Sequence, residues 1–327
     1  MNLVGLAQGV LAGERRSLAK AITLVESSRP EHREQADALL TELLPHTGRS
    51  LRLGLSGVPG VGKSSFIEAL GMRLLARGHK VAVLAIDPSS AVSGGAILGD
   101  KTRMERLSMD ERAFIRPSPS GGTLGGVADH TREALLLCEA AGFDIVIVET
   151  VGVGQSETAV ASMTDCYLLL QLPNAGDDLQ AIKRGVMELA HLVVVNKADI
   201  DAAAATRAQA QLTSSLRLMG MSHHDSEAWQ PQALRCSSLS GEGLDEVWQA
   251  VRDFEAQQRR SGHFEARRRQ QAERWMWERI EQGLRQRFAR HPAVQAALPL
   301  LSSDVLAGRV AASTAARRLI QLLDTPA

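Results

Sequence analysis

Gly57-Val58-Pro59-Gly60-Val61-Gly62-Lys63-Ser64-Ser65 decides the fold of this chain. It follows the apolar run Leu51-Arg52-Leu53-Gly54-Leu55-Ser56. It precedes Phe66, Ile67, Leu70, Leu74 and Leu75, which recur at helical spacing. Strand, glycine-rich turn and helix form the setting in which G-x-x-x-x-G-K-[ST] becomes a phosphate site. Gly57, Gly60 and Gly62 let the backbone bend until successive N–H groups point at phosphate oxygens. The helix beginning near Lys63 brings its partly positive end to the same spot. The pattern assigns Lys63 to the β- and γ-phosphates of a nucleoside triphosphate, and the Ser64 hydroxyl to Mg²⁺.

Further along, a second motif selects the base. His191-Leu192-Val193-Val194-Val195 leads into Asn196-Lys197-Ala198-Asp199. Asp199 can accept bonds from both N1–H and the N2 amine of guanine. Adenine offers neither donor, so a buried carboxylate facing it would be left unpaired, at a cost of roughly a few kcal/mol. Asn196 is expected to brace the loops, and the Lys197 stem to lie along the base. Cys236-Ser237-Ser238-Leu239-Ser240-Gly241 has the pattern of a loop whose backbone N–H groups read guanine O6. The expected ligands are GTP and GDP.

Between the two motifs lie the candidate metal and catalytic groups. The buried strand Val81 to Ile86 ends in Asp87-Pro88-Ser89-Ser90. A carboxylate leaving a parallel strand stands where such sheets bind ligand. Asp87 also suits a turn or cap, as does Asp100 in the loop Gly99-Asp100-Lys101-Thr102-Arg103. Phe143 to Val148 ends in Glu149-Thr150-Val151-Gly152-Val153-Gly154-Gln155-Ser156-Glu157. There the acid can help hold Mg²⁺, and the Gly152 N–H can bond the γ-phosphate. Glu149 stands where Asp is more usual. The candidate catalytic set is Lys63, Asp87, Glu149 and Gly152, and the candidate metal set Ser64, Asp87, Asp100 and Glu149. Gln155 and Glu157 either orient the attacking water, bind a partner or are plain loop residues. Asp177-Asp178 with Lys183 forms either a partner-contacting segment or a capped helix start.

The remainder reads as a mostly parallel α/β sheet flanked by helices, with helical extensions at both ends. Strands are expected near 51–56, 81–86, 143–148, 167–172 and 191–195, with a short apolar piece at 114–116. Met1 to Leu44 reads as helical, broken at Arg29-Pro30, with Ser28 as a possible cap. A helix is expected from Val127 to Ala141, stopped by Gly142. Expected domains are residues 1–50, 51–254 and 255–327. The last is rich in Arg, Gln and Glu and carries Trp275 and Trp277, which need burial, as in a subunit interface.

With 44% hydrophobic residues, the 327-residue chain has apolar material for a substantial core. Lys+Arg and Asp+Glu both number 37, so net charge gives no argument for a nucleic-acid or membrane partner. Cys138, Cys166 and Cys236 lack C-x-x-C spacing and are expected to be reduced, mostly buried thiols of a cytoplasmic protein. No apolar run is long enough to span a bilayer. The first basic residue is Arg15, after the apolar N-terminus, which argues against a secretory signal.

The ordered set GVPGVGKSS, AIDPSS, GDKTRM, IVETVGVGQSE, PNAGDDLQAIKRG, NKAD and CSSLSGEGL resembles the ArgK/MeaB family of P-loop GTPases over nearly the whole chain. The resemblance implies a homodimer of G domains joined by C-terminal helices. It implies Mg²⁺ held by Ser64 with acids among Asp87, Asp100 and Glu149. It implies a third switch, from Asp177 to Lys183, facing an adenosylcobalamin-dependent acyl-CoA mutase of the methylmalonyl-CoA type. GTP hydrolysis would be slow alone and faster with that partner. Hydrolysis would gate cofactor loading and help protect or restore the mutase, with a cobalamin adenosyltransferase as a further partner. Cys236-Ser237-Ser238 departs from the commoner Ser-Ala pair. One rival is a nickel-insertion GTPase, which wants clustered His and Cys; His223-His224 is the only adjacent His pair and has no Cys beside it. Another is a kinase linked to amino-acid transport, which would need a phosphoacceptor that the sequence does not display. A third is a dimer that binds nucleotide without turnover.

Overall fold

Seven apolar segments pair into one sheet in which every strand is parallel to its neighbours. In chain order they are β1 (Leu51–Gly57), β2 (Val81–Asp87), β3 (Ala113–Pro119), β4 (Ile145–Thr150), β5 (Cys166–Gln171), β6 (Leu192–Val195) and β7 (Gln232–Arg235). Their spatial order is β3-β2-β4-β1-β5-β6-β7. The computed structural model describes residues 2–27, 29–87, 104–119, 124–150, 156–173, 184–220 and 229–324.

The central strands read as unbroken apolar runs because both faces of the sheet are covered. Leu51, Leu53, Leu55, Ile145 and Ile147 enter one core with helices α4 (Lys63–Ala76), α5 (Glu105–Met109) and α10 (Leu244–Arg260). Val146, Val148, Tyr167 and Leu169 point to the opposite core. That side is built by α1 (Leu3–Leu11), α2 (Arg15–Val25), α3 (Pro30–Leu43), α6 (Leu124–Ala140), α7 (Ser156–Ala161) and α9 (Ala202–Gly220), with the one-turn α8 (Arg184–Met187) alongside. Each fully buried Leu, Ile or Val contributes roughly 1.5–3 kcal/mol. Leu18, Ile22, Leu39 and Leu43 of the N-terminal helices are buried in the same cluster as Leu135 and Leu137 of α6.

The chain divides into two compact units, Met1–Arg267 and Arg268–Ala327. The first holds the sheet. The second holds most of α11 (His263–Arg290), with α12 (Pro292–Leu306) and α13 (Ala312–Gln321), and Val294, Ala315 and Leu319 are buried within it. Among the described residues, no helix is long and apolar enough to cross a membrane.

Several elements depart from the sequence expectation. The N-terminal helix has an additional break at Gly13, whose φ of 74° is left-handed. The N-cap of α3 is Arg29, with Pro30 in the first turn; Ser28 lies outside the described residues. The piece expected at 114–116 is a seven-residue strand containing Pro117 and Pro119. It is tolerated because β3 pairs only with β2 and forms an edge. Strand β7 was not anticipated at all. Helix α6 starts at Leu124, three residues early.

Candidate nucleotide site

Among the described residues, the phosphate loop after β1, the ends of β2 and β4 and the Asn196 loop after β6 leave the sheet at its carboxyl edge, the side on which open parallel sheets bind ligands. Between β4 and β5, at the centre, β1 ends at Gly57 and the chain turns into α4. The turn needs glycine at two points for two reasons. At Gly57 a Cβ would lie 2.7 Å from the Leu170 carbonyl oxygen of the adjacent strand. At Gly62, the N-cap of α4, φ is 94°, and a Cβ would lie 2.9 Å from Asn196 Nδ2. Lys63 follows as the first residue of the helix and is 9% exposed. Its Nζ donates to the carbonyls of Gly57 at 2.8 Å and Val58 at 3.3 Å. Burial pulls the ammonium below its ordinary pKa, and the carboxylates of Glu149 and Glu157 oppose that shift. Those two acids therefore lie within electrostatic range of the cation. Glu149 comes from the end of β4 and Glu157 from the first turn of α7, and both are buried. The sequence leaves Glu157 open between a water-positioning group, a partner-binding group and a loop residue; the structure places it within the electrostatic reach of Lys63. A bond from Thr150 Oγ1 to Ser56 Oγ at 2.9 Å, unforeseen from the sequence, ties the ends of β4 and β1 together beneath the phosphate loop.

The base end is organised by Asn196, which is 1% exposed. Its Nδ2 donates to the Val61 carbonyl at 2.9 Å, so it holds the phosphate loop directly. Its Oδ1 accepts from the Ser238 N–H at 3.1 Å, the Ser238 hydroxyl at 2.8 Å and the Cys236 thiol at 3.6 Å. One buried amide thus joins the two loops that sequence reasoning assigned to opposite ends of a nucleotide. Burial pushes the Cys236 thiol up to about 12, so it stays protonated and can donate. Ser237 is fully buried, and Leu239 is 88% exposed at the tip of its loop. Lys197 has a φ of 62°, a left-handed conformation uncommon outside glycine. A Cβ on Gly62 would lie 3.7 Å from Lys197 Cε, which puts the lysine stem beside the phosphate-loop turn. Asp199 is exposed in the turn after β6, beyond the core that buries Val193 to Asn196.

Val58, Pro59, Gly60, Val61, Ser64 and Ser65 occupy the loop and first helical turn as expected. The Asp87 backbone ends β2 beside β4, with Ala85 paired to Glu149, so it leaves the sheet on the same edge. Asp100, Gly152, Gln155, the segment from Asp177 to Lys183, and His223-His224 lie outside the described residues. The hydroxyl of Ser64 and the carboxylate of Glu149 are hard oxygen donors, the type that suits Mg²⁺. The free, buried cysteines agree with the expectation for their thiols.

A glycine-rich turn, a buried lysine with two carboxylates in electrostatic range and a second loop tied to that turn through Asn196 form one continuous candidate nucleotide site. The family model of the methylmalonyl Co-A mutase-associated GTPase MeaB matches residues 18–293. The mitochondrial methylmalonic aciduria type A homolog of Mus musculus is 47% identical over 327 residues, covering 97% of this chain and 78% of its own length. GTPase ArgK of Escherichia coli (strain K12) is 51% identical over 271 residues, covering 83% of this chain and 81% of its own. A crystal structure of a LAO/AO transport system kinase matches with a TM-score of 0.77 at 38% identity, covering 99% of this chain and 98% of that one. Motifs, fold and relatives agree, and the chain belongs to the MeaB family of GTPases, which bind guanine nucleotide and hydrolyse GTP.

Proposed function

We propose that this GTPase is a G-protein chaperone for an adenosylcobalamin-dependent acyl-CoA mutase of the methylmalonyl-CoA type. Its turnover gates cofactor loading and helps protect or reactivate the mutase, with a cobalamin adenosyltransferase supplying the cofactor. The observation that carries this reading is the family match to a mutase-associated GTPase, which reaches beyond the nucleotide site into the helices on both sides.

In this mechanism the main-chain N–H groups of Gly60 to Ser65 cradle the phosphates, and Lys63 exchanges its two carbonyl acceptors for phosphate oxygens. Ser64 and Glu149, with Asp87 and Asp100, would hold Mg²⁺. That ion, when bound, neutralises charge on the β- and γ-oxygens. Gly152 donates its N–H to the γ-phosphate and releases it after hydrolysis. Asp199 and the loop from Cys236 to Leu239 read the base. Two copies associate through their C-terminal helices. The test is GTP turnover by the full chain with and without purified cobalamin-dependent mutases. Stimulation by one of them is expected; indifference to all of them overturns the chaperone role and leaves the GTPase.

The name of the 38% identical relative raises a kinase reading. Tracing γ-labelled GTP separates the two. Label recovered as inorganic phosphate supports hydrolysis alone, and label retained on protein supports transfer.

A further inference from the structure

Arg73, in the last turn of α4, reaches from the phosphate-loop helix to the base loop. Its Nη2 donates to the Gly241 carbonyl at 2.8 Å, and its Nη1 to Asp245 Oδ2 at 2.8 Å. Asp245, in the first turn of α10, takes a second bond through Oδ1 from Arg77 Nη2 at 2.8 Å. Inside the loop, the Ser237 N–H donates to the Glu242 carbonyl at 2.9 Å and the Gly241 N–H to the Ser237 carbonyl at 2.9 Å. The Ser240 N–H donates to Ser237 Oγ at 3.0 Å, and the Glu242 N–H to Ser240 Oγ at 3.3 Å. The Ser238 N–H is taken by Asn196. Across residues 237–242, only the Leu239 N–H has no acceptor among the described residues.

We propose that Arg73 is a positioning residue for guanine recognition. Asn196 anchors the near side of the loop and Arg73 its far side. Between them they hold the Leu239 N–H where purine O6 arrives. This rests on the assignment of residues 236–239 to the base. A backbone donor gains affinity only if the loop is already in place, because otherwise binding must supply the ordering. The clamp also explains why one helix carries both groups. Lys63 begins α4 and Arg73 lies ten residues later, about 15 Å along the axis. The triphosphate end and the base end are thereby set by one rigid element.

The test uses the full chain and titrates GDP, 6-thio-GDP and IDP. Sulfur at position 6 weakens the acceptor that the loop reads, and IDP lacks the N2 amine that Asp199 reads. Arg73→Ala should reduce the preference for GDP over 6-thio-GDP by about threefold or more, the size of one hydrogen bond. The preference for GDP over IDP should stay within about twofold. Arg73→Lys should restore part of the loss by reaching the Gly241 carbonyl. Asp245→Ala removes a partner of Arg73 without touching the loop. It should shift the same ratio in the same direction, and it decides the matter if Arg73→Ala does not fold. Both preferences shrinking together, or neither moving, overturns the positioning role and leaves Arg73 a brace between α4 and α10. A natural chain indifferent to the group at position 6 removes the base-loop assignment as well.

Discussion

Burial of the Lys63 ammonium lowers its pKa from the ordinary 10.5, against the pull of Glu149 and Glu157. The unfolded chain therefore holds more protons than the folded one in the window just below 10.5. The penalty for burying this charge is in full force at neutral pH and is relieved as pH rises through that window. Replacing Lys63 with Met should make nucleotide-free protein more resistant to urea at neutral pH, and the advantage should shrink as pH approaches 10.5. Urea melts across a pH series would show it; an advantage independent of pH would remove charge burial as its cause. The same variant should lose GTP turnover by on the order of a hundredfold or more, since the cation that the phosphate-loop pattern assigns to the phosphates is gone. Asp199 makes the opposite case. It is exposed, so Asp199→Asn should leave the melting temperature nearly unchanged. Hydrogen bonds to a charged group are worth about 1.5–3 kcal/mol, so GDP affinity should fall roughly ten- to a hundredfold while XDP affinity rises. Competition against a fluorescent guanine nucleotide measures both, and an unaltered order of GDP over XDP would show that Asp199 does not face the base.

The entrances of β5 and β6 meet at His191. Its Nδ1 accepts from the Tyr167 N–H at 2.9 Å, and its Nε2 lies 2.7 Å from Arg267 Nη1. Both ring nitrogens already face donors, so an added proton meets no acceptor. Burial and the guanidinium hold the pKa down to about 3, against the ordinary 6.5. The folded chain thus binds fewer protons than the unfolded one between those values, and stability falls as pH drops below 6.5. His191→Gln should flatten the decline in melting temperature between pH 6.5 and 5, at some loss of stability near pH 7; an unchanged slope would place the acid sensitivity elsewhere. Neither this joint nor the Arg73 clamp was legible in the sequence, because the partners stand far apart along the chain: His191 with Arg267, and Arg73 with Gly241. What was legible is local. The central strands are buried on both faces and read as continuous apolar runs, and the phosphate and base motifs are loops whose chemistry lies in consecutive residues. Strand β7, Gln-Ala-Leu-Arg, is a short edge with exposed ends and carries no such run. The prolines of β3 read as turn formers, although an edge strand accommodates them.

At the scale of the molecule, the C-terminal unit carries apolar surface that the chain itself leaves uncovered. On α11, Met276, Trp277, Ile280 and Leu284 are all exposed, Trp277 at 55% and Leu284 at 60%. Their spacing of three, four and seven to eight residues sets them on one stripe of the helix. Leu298, Leu300 and Leu306 of α12 and Ile320 of α13 add to the uncovered surface. Contiguous apolar patches of this sort mark association sites. The formal net charge of zero puts no long-range repulsion between copies. On the dimer proposed above, the occupant is a second copy of the chain. Light scattering on the full-length protein should accordingly report twice its 35.2 kDa mass. Changing Ile280 and Leu284 together to Asp should yield monomers at micromolar concentration, because each buried charge would need a partner that the stripe does not provide. Every residue of the described nucleotide site falls within Met1–Arg267, so the double variant should still bind GDP as tightly as the natural chain. A natural chain that is monomeric at every concentration, or a double variant that remains dimeric, would show that these helices cover something other than each other. If a mutase stimulates the natural chain as proposed, its effect on the monomeric variant would then tell whether one copy suffices or the paired form is required.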